Sequence, residues 1–313
     1  MSGLRRRRRG IYALAPVVVV ALAGLTGLIG FAAWPMAVSA EGPVGVIAGR
    51  VVNGSAAGAT PGGAPLLLRV YRDGVGQAER AALADAQGAF RFDGLAVGPA
   101  YTYRLTAAYG GIAYSTDPLR LMADAPEQQV ELRVYEVSLA DPGLGTARAL
   151  FVVGGADAGR QEVAVTEIVT LTNPSDQTFA PRPDGPEGPM GLVRFSLPPG
   201  ARDLRPVAGI DPTQILQVDR GVASLTPVPP GEHDHSFSYR LPYAGQAVTF
   251  ERWFPYGAGR FFVLSPEGGP EVAGAGLSAM EPALFGATRY RVWMAQEIAP
   301  GTRLTIELRG LPP

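Results

Sequence analysis

The chain has 313 residues, 47% of them hydrophobic, which is enough material for two domains of ordinary size. Its 41 Gly and 29 Pro favour many short elements joined by turns over long helices, and no apolar period near 3.6 persists after residue 40. All 27 basic residues are Arg; without Arg5–Arg9 the remaining 22 face 28 acids, a formal charge of −6 with no basic cluster, and this argues against a nucleic-acid partner.

"LRRRRRG" at residues 4–10 is followed by thirty residues, 11–40, without a charge. The positive-inside rule keeps Arg5–Arg9 in the cytoplasm and sends the downstream chain across the membrane. Two readings stay open for residues 1–40. Val38-Ser39-Ala40 offers the small residues of a signal-peptidase site. Residues 11–38, in contrast, exceed the usual apolar core of a signal peptide and suit an uncleaved span of about 20 residues. Either way residues 41–313 are expected outside the cytoplasm, in the cell envelope, membrane-anchored or secreted. The chain has no Cys, so disulfides, a lipid-modified cysteine and a CxxCH haem site are excluded.

Residues 41–138 read as one all-β unit. "PVGVIAGRVVNG" is a strand ending at Asn53-Gly54, residues 55–64 are a loop of small residues, and "PLLLRVYRDG" is a strand ending at Asp73-Gly74. "GQAERAALADAQG" has the Ala content of a short helix, yet a strand fits the spacing of its neighbours. Asp85 and Gly88 then punctuate a turn, and Phe90 and Phe92 alternate onto one face of the next strand. Tyr101, Tyr103, Leu105 and Ala107 alternate likewise, Gly110-Gly111 turns the chain, and Val130, Leu132 and Val134 mark a closing strand. About seven short strands at roughly ten-residue spacing is the pattern of a β-sandwich.

"ADAQGAFRFDGL" resembles the D-x-x-G-x-F-x-F-x-x-L signature of carboxypeptidase regulatory-like domains, carried here by Asp85, Gly88, Phe90, Phe92 and Leu95. The resemblance covers residues 44–136 and implies a small sandwich of transthyretin-like fold. It implies no peptidase, because such modules are appended to many unrelated proteins. In physical terms the stretch is scaffold: Asp85 and Gly88 make the turn, the two Phe fill a core, and Leu95 seals its end.

Residues 139–147 contain Asp141-Pro142-Gly143 and read as a linker. Residues 148–313 read as a second, Ig-like sandwich with long loops. Its clearest strand alternates Val163, Val165, Glu167, Val169 and Leu171 against Ala164, Thr166, Ile168 and Thr170. Pro- or Gly-bounded strands are expected near 191–201, 224–243, 246–257, 259–266, 286–296 and 302–313. "PEVAGAGLSAMEP" is expected to hold a short helical turn at most.

The fold class is therefore all-β, two β-sandwich domains (transthyretin-like and Ig-like) after an N-terminal hydrophobic helix. The two histidines, His233 and His235, sit at i and i+2 in "GEHDHSF", where one strand face could offer both imidazoles to a metal, although a third ligand is not in the motif. "ERWFPYGAGRFF" gathers Trp253, Phe254, Tyr256, Phe261 and Phe262; Trp253 and Tyr256 could stack on a sugar or dock a partner, or the segment could be a hairpin whose aromatics fill the core. Tyr101, Tyr103, Tyr109 and Tyr114 invite the same two readings. No G-x-S-x-G elbow, phosphate loop or distinguished carboxylate pair is present, so an enzyme is not expected, nor a cofactor. The expected function is a non-enzymatic structural or binding protein that presents β surfaces at the envelope. Its partners would be the membrane, through the N-terminal segment, and another envelope protein or a polysaccharide. The alternatives are a carbohydrate-binding module and an accessory factor for metal or cytochrome assembly.

Overall fold

The computed structural model describes residues 44–186, 188–218 and 221–313. The expected N-terminal helix and cleavage site fall in residues 1–40, outside the described residues. The described chain is nearly all β, 63% strand against 2% helix. The helical residues are two 3-10 turns, Gly188–Gly191 and Pro212–Gln214. No described helix is long and apolar enough to cross a membrane.

Seven strands come first: β1 (Gly45–Asn53), β2 (Pro65–Arg72), β3 (Val75–Leu83), β4 (Ala89–Leu95), β5 (Tyr101–Tyr109), β6 (Ile112–Ser115) and β7 (Glu127–Val134). They form two sheets, β4-β1-β7 and β3-β2-β5-β6, with β1 and β7 parallel. Alternate residues of both sheets meet in one core that includes Ile47, Leu66, Leu68, Phe90, Phe92, Tyr103, Leu105 and Leu132. The Ala-rich stretch that could pass for a helix is β3, an edge strand with eight of its nine residues exposed.

The Asp85–Leu95 stretch performs the turn-and-core role its pattern implies. Asp85 Oδ1 accepts hydrogen bonds from the backbone N–H groups of Gln87 and Ala89 at 2.9 and 2.7 Å. Gly88 sits at φ +80, and a Cβ there would lie 2.4 Å from the Val51 carbonyl oxygen, so only glycine fits. Val51 N–H in turn donates to Gly88 O at 2.8 Å, which locks the turn onto β1. Phe90, Phe92 and Leu95 are buried.

Fifteen further strands complete the chain. They are β8 (Val137–Ser138), β9 (Gly145–Asp157), β10 (Glu162–Asn173), β11 (Thr178–Phe179), β12 (Val193–Ser196), β13 (Arg202–Ala208), β14 (Ile215–Val218) and β15 (Gly221–Ser224). The last seven are β16 (Gly231–Pro242), β17 (Ala247–Phe254), β18 (Ala258–Pro266), β19 (Glu271–Ala273), β20 (Ser278–Phe285), β21 (Thr288–Ile298) and β22 (Thr302–Arg309). A seven-stranded sheet, β13-β16-β10-β9-β18-β21-β20, faces two three-stranded sheets, β12-β15-β14 and β17-β22-β19. Their shared core includes Phe151, Val163, Leu171, Phe195, Phe237, Phe250, Phe261, Val263, Ile306 and Leu308, and the rings of Phe151 and Phe250 stack across it at 5.3 Å.

The segment 270–282, expected to hold a short helical turn at most, is strand: β19 pairs with β22 and β20 pairs with β21, with a turn at 275–276 between them. One expectation needs correction: the aromatic segment 246–262 is not a hairpin. β17 pairs with β22, whereas β18 pairs with β9 and β21 in the opposing sheet. The turn at 255–257 carries the chain across the core from one sheet to the other. Gly257, at φ +66, permits that crossing where a Cβ would lie 2.5 Å from Ile298 O.

The two halves meet through hydrogen bonds. β8 pairs parallel with β11, so the chain just after β7 is stitched into the second half before residue 139. Ser55 Oγ donates to Asp176 O at 2.6 Å, and Ala56 N–H donates to Asp176 Oδ2 at 2.8 Å. The Tyr114 and Thr178 hydroxyls are 2.8 Å apart and buried. Residues 139–147, read as a linker, contain the start of β9, and Asp141 Oδ1 accepts from Gly143 and Leu144 N–H.

Candidate functional site

β17 alternates strictly: Phe250, Arg252 and Phe254 point into the core, whereas Glu251 and Trp253 point out. Directly across the ladder from Trp253 stands Arg303 of β22. Arg303 Nη1 lies 3.2 Å from Glu251 Oε2, an exposed ion pair beside the indole. The loop Leu197–Ala201 and the exposed Gln217 of β14 rise around this face. Together they enclose an open cleft of about 420 Å³. That volume is within the range of small-molecule sites, roughly 300–1,000 Å³.

Tyr256 does not share this cleft with Trp253. It packs against the core, and its hydroxyl accepts from Arg194 N–H at 2.9 Å and donates to Leu192 O at 3.3 Å. Phe254 and Phe261 are core residues in edge-to-face contact at 5.0 Å, and Phe262 points to the opposite side of the seven-stranded sheet. Of the aromatic group, only Trp253 contributes to an open site. Tyr103 and Tyr114 are core residues, and Tyr101 and Tyr109 pack partly against the same core. Burial pushes the Tyr103 hydroxyl up to about 12.

His233 and His235 lie next to one another on the inward-facing side of β16, across from Leu171 and Val169. His235 is buried, its ring 5.5 Å from that of Phe195. Its Nδ1 is bonded to the His233 carbonyl at 3.0 Å, and His233 Nε2 is bonded to Pro230 O at 3.1 Å. Burial holds the His235 imidazole below its ordinary value. Among the described residues, no group of three or more His, Asp or Glu gathers in a way that could hold a metal ion.

The most deeply buried charged site is one that sequence reading passed over. Glu167, on the apolar side of β10, is 1% exposed and Arg252 of β17 is 3% exposed. Glu167 Oε2 meets Arg252 Nη2 at 2.7 Å across the core, and Tyr239 of β16 donates to Glu167 Oε1 at 2.7 Å. Arg252 Nη1 donates to Trp253 O at 2.8 Å, and its guanidinium stands 5.3 Å from the Phe254 ring centroid. Arg252 Nε is buried without a partner beside a void of about 20 Å³, which is room for one water. Desolvation pushes the Glu167 carboxyl up, opposed by Arg252 and Tyr239. A signal existed: Glu167 interrupts an otherwise apolar alternation, and Arg252 stands between two inward Phe.

The outer face of the seven-stranded sheet is apolar over β9, β18 and β21. Val152, Leu264 and Val292 form a cluster with Leu150, Phe262 and Tyr290, all from strands of this one sheet. The register continues the row to Ile168 on one side and to Met294 and Met280 on the other. Phe285 adds to it, edge-on to Tyr290 at 6.2 Å. Met280 is 46% exposed and Phe285 45%.

No family model and no curated protein matches the chain. Among solved structures, the M1 zinc metallopeptidase of Deinococcus radiodurans matches at TM-score 0.31 and 12% identity, over 55% of this chain and 43% of that one. A DUF3823 family protein of Parabacteroides merdae matches at TM-score 0.23 and 16% identity, over 68% and 91%. The full-length major pilin SpaD of Corynebacterium diphtheriae matches at TM-score 0.25 and 12% identity, over 87% and 84%. This chain spans less than half the length of the metallopeptidase chains it resembles.

Proposed function

We propose that the chain is a non-enzymatic protein of the cell envelope, its residues 41–313 outside the cytoplasm, that presents a β surface to another envelope protein. Residues 44–136 are read as a transthyretin-like body of the carboxypeptidase regulatory-like kind, on the strength of Asp85, Gly88, Phe90, Phe92 and Leu95. Residues 148–313 are read as an Ig-like body. The charge-free stretch 11–40 behind Arg5–Arg9 supports export and tethering.

The observation that carries the reading is the apolar strip on the outer face of the seven-stranded sheet. Two rows of side chains, Ile168-Leu150-Phe262-Met294 and Val152-Leu264-Val292-Met280, cross it side by side. Val152, Leu264 and Val292 are buried within the strip, Met280 is exposed, and Ile168, Leu150, Phe262 and Met294 are partly exposed. The apolar area that these last five leave in water, at a cost of about 25 cal/mol per Å², supports an interaction surface. Association through the neighbouring edge is disfavoured: β20 contains Pro282 and a register break between Met280 and Ala283, two devices that stop a strand from extending.

A photoreactive residue at Met294, in cells expressing the full chain, tests this. The expected product is an adduct with one defined envelope protein, lost when Phe262 is changed to Asp. Adducts of equal yield from a control position at Gln77, or none from Met294, would contradict the reading.

A further inference from the structure

We propose that the cleft at Trp253 binds a neutral carbohydrate. It lies on the outward side of the β17-β22-β19 sheet, and the apolar strip lies on the outward side of the sheet opposite, so the two sites are separate and stand or fall independently.

The ligand class is set by the lining. Among the described residues, Trp253 is the one large aromatic group on the cleft, and an indole offers a flat apolar surface with a negative face. The apolar C–H face of a pyranose, whose hydrogens carry slight positive charge, is complementary to it. Around the indole stand planar hydrogen-bonding groups: the Glu251 carboxylate, the Arg303 guanidinium and the Gln217 amide. These accept and donate in fixed forks, which suits vicinal hydroxyls that do both. Among the described residues that line the cleft, Glu251 and Arg303 are the charged groups, and they neutralise one another at 3.2 Å, which favours a neutral ligand over an ionic one. An apolar ligand would strand these polar groups without partners and is disfavoured for that reason.

The test uses the full chain and a panel of neutral oligosaccharides: cellohexaose, laminarihexaose, chitohexaose, xylohexaose and maltohexaose. Calorimetry and Trp emission are read together, since the chain has only three Trp and, among the described residues, only Trp253 borders the cleft. At least one member is expected to bind at millimolar or lower concentration and to shift the emission. Trp253→Ala should weaken that binding by roughly tenfold or more, Trp253→Phe by less, because a smaller ring still stacks. Tyr256→Phe should leave affinity unchanged, since that hydroxyl is engaged by Arg194 and Leu192. No binding across the panel, or binding that Trp253→Ala leaves intact in a chain with an unchanged circular dichroism spectrum, overturns the proposal.

Discussion

Replacing Glu167 by Ala removes the acid from a pair that spans the core of the second half. Arg252 would then keep its charge at 3% exposure with no counter-ion. Breaking one side of a buried ion pair costs about 3–5 kcal/mol, because the remaining charge is desolvated without compensation. Arg252→Met should cost a similar amount by stranding the carboxylate. The double change Glu167→Leu with Arg252→Met removes both charges but strands the buried Tyr239 hydroxyl, so it should cost about 1–3 kcal/mol, less than either single change. Tyr239→Phe, which deletes one hydrogen bond to the carboxylate, should cost about 1–3 kcal/mol. Urea unfolding followed by circular dichroism gives each value, and the cycle, closed with the single change Glu167→Leu, isolates the coupling. A cost below about 1 kcal/mol for Glu167→Ala is the value of a solvated surface pair. It would refute the assignment of Arg252 as a desolvated charge that depends on Glu167.

Gly88→Ala should destabilise by about 2 kcal/mol or more, through the left-handed backbone and the clash with Val51 O, measurable by the same unfolding assay. His235 has a folded value below its unfolded one, so the unfolded chain takes up the proton first; stability should fall as pH drops below about 6.5. His235→Gln should flatten that fall in a pH series of melting temperatures. The junction predicts that the two halves unfold together: one calorimetric transition for the parent, less cooperative when Ser55→Ala and Tyr114→Phe remove two of the junction's side-chain links and leave the β8–β11 pairing.

How much of this was legible depended on range. The turn at Asp85–Gly88 and the inward Phe90 and Phe92 could be read from spacing because the Asp85 hydrogen bonds that shape the turn are local; its lock onto Val51 of β1 is long-range and was not legible. β10 was equally plain, with Val163, Val165, Val169 and Leu171 buried at period two. The strands β13, β14 and β15 were hidden: β13 has five of seven residues exposed and contains Pro206, so no alternation advertises it. The turn after Trp253 looked like a hairpin because a Pro-Tyr-Gly turn between two apolar runs is the same signal whether the chain doubles back or crosses to a facing sheet. Only the long-range pairing with β22 and β9 decides that. The Trp253 cleft was half visible, as an aromatic cluster without its partners; Arg303 and Gln217 are 50 and 36 residues away in sequence, and only the fold brings them in. Glu167 and Arg252 were each visible as an oddity on an apolar face, and their pairing was not.

The central claim is compartment, and the chain's lack of Cys allows a direct test. A single cysteine at Gln77, on the exposed edge strand β3, can be offered a membrane-impermeant maleimide in intact spheroplasts of cells expressing the full chain. Labelling before lysis is the predicted result and places this surface outside the cytoplasmic membrane. Labelling that appears only after lysis would put the chain in the cytoplasm and contradict an envelope role.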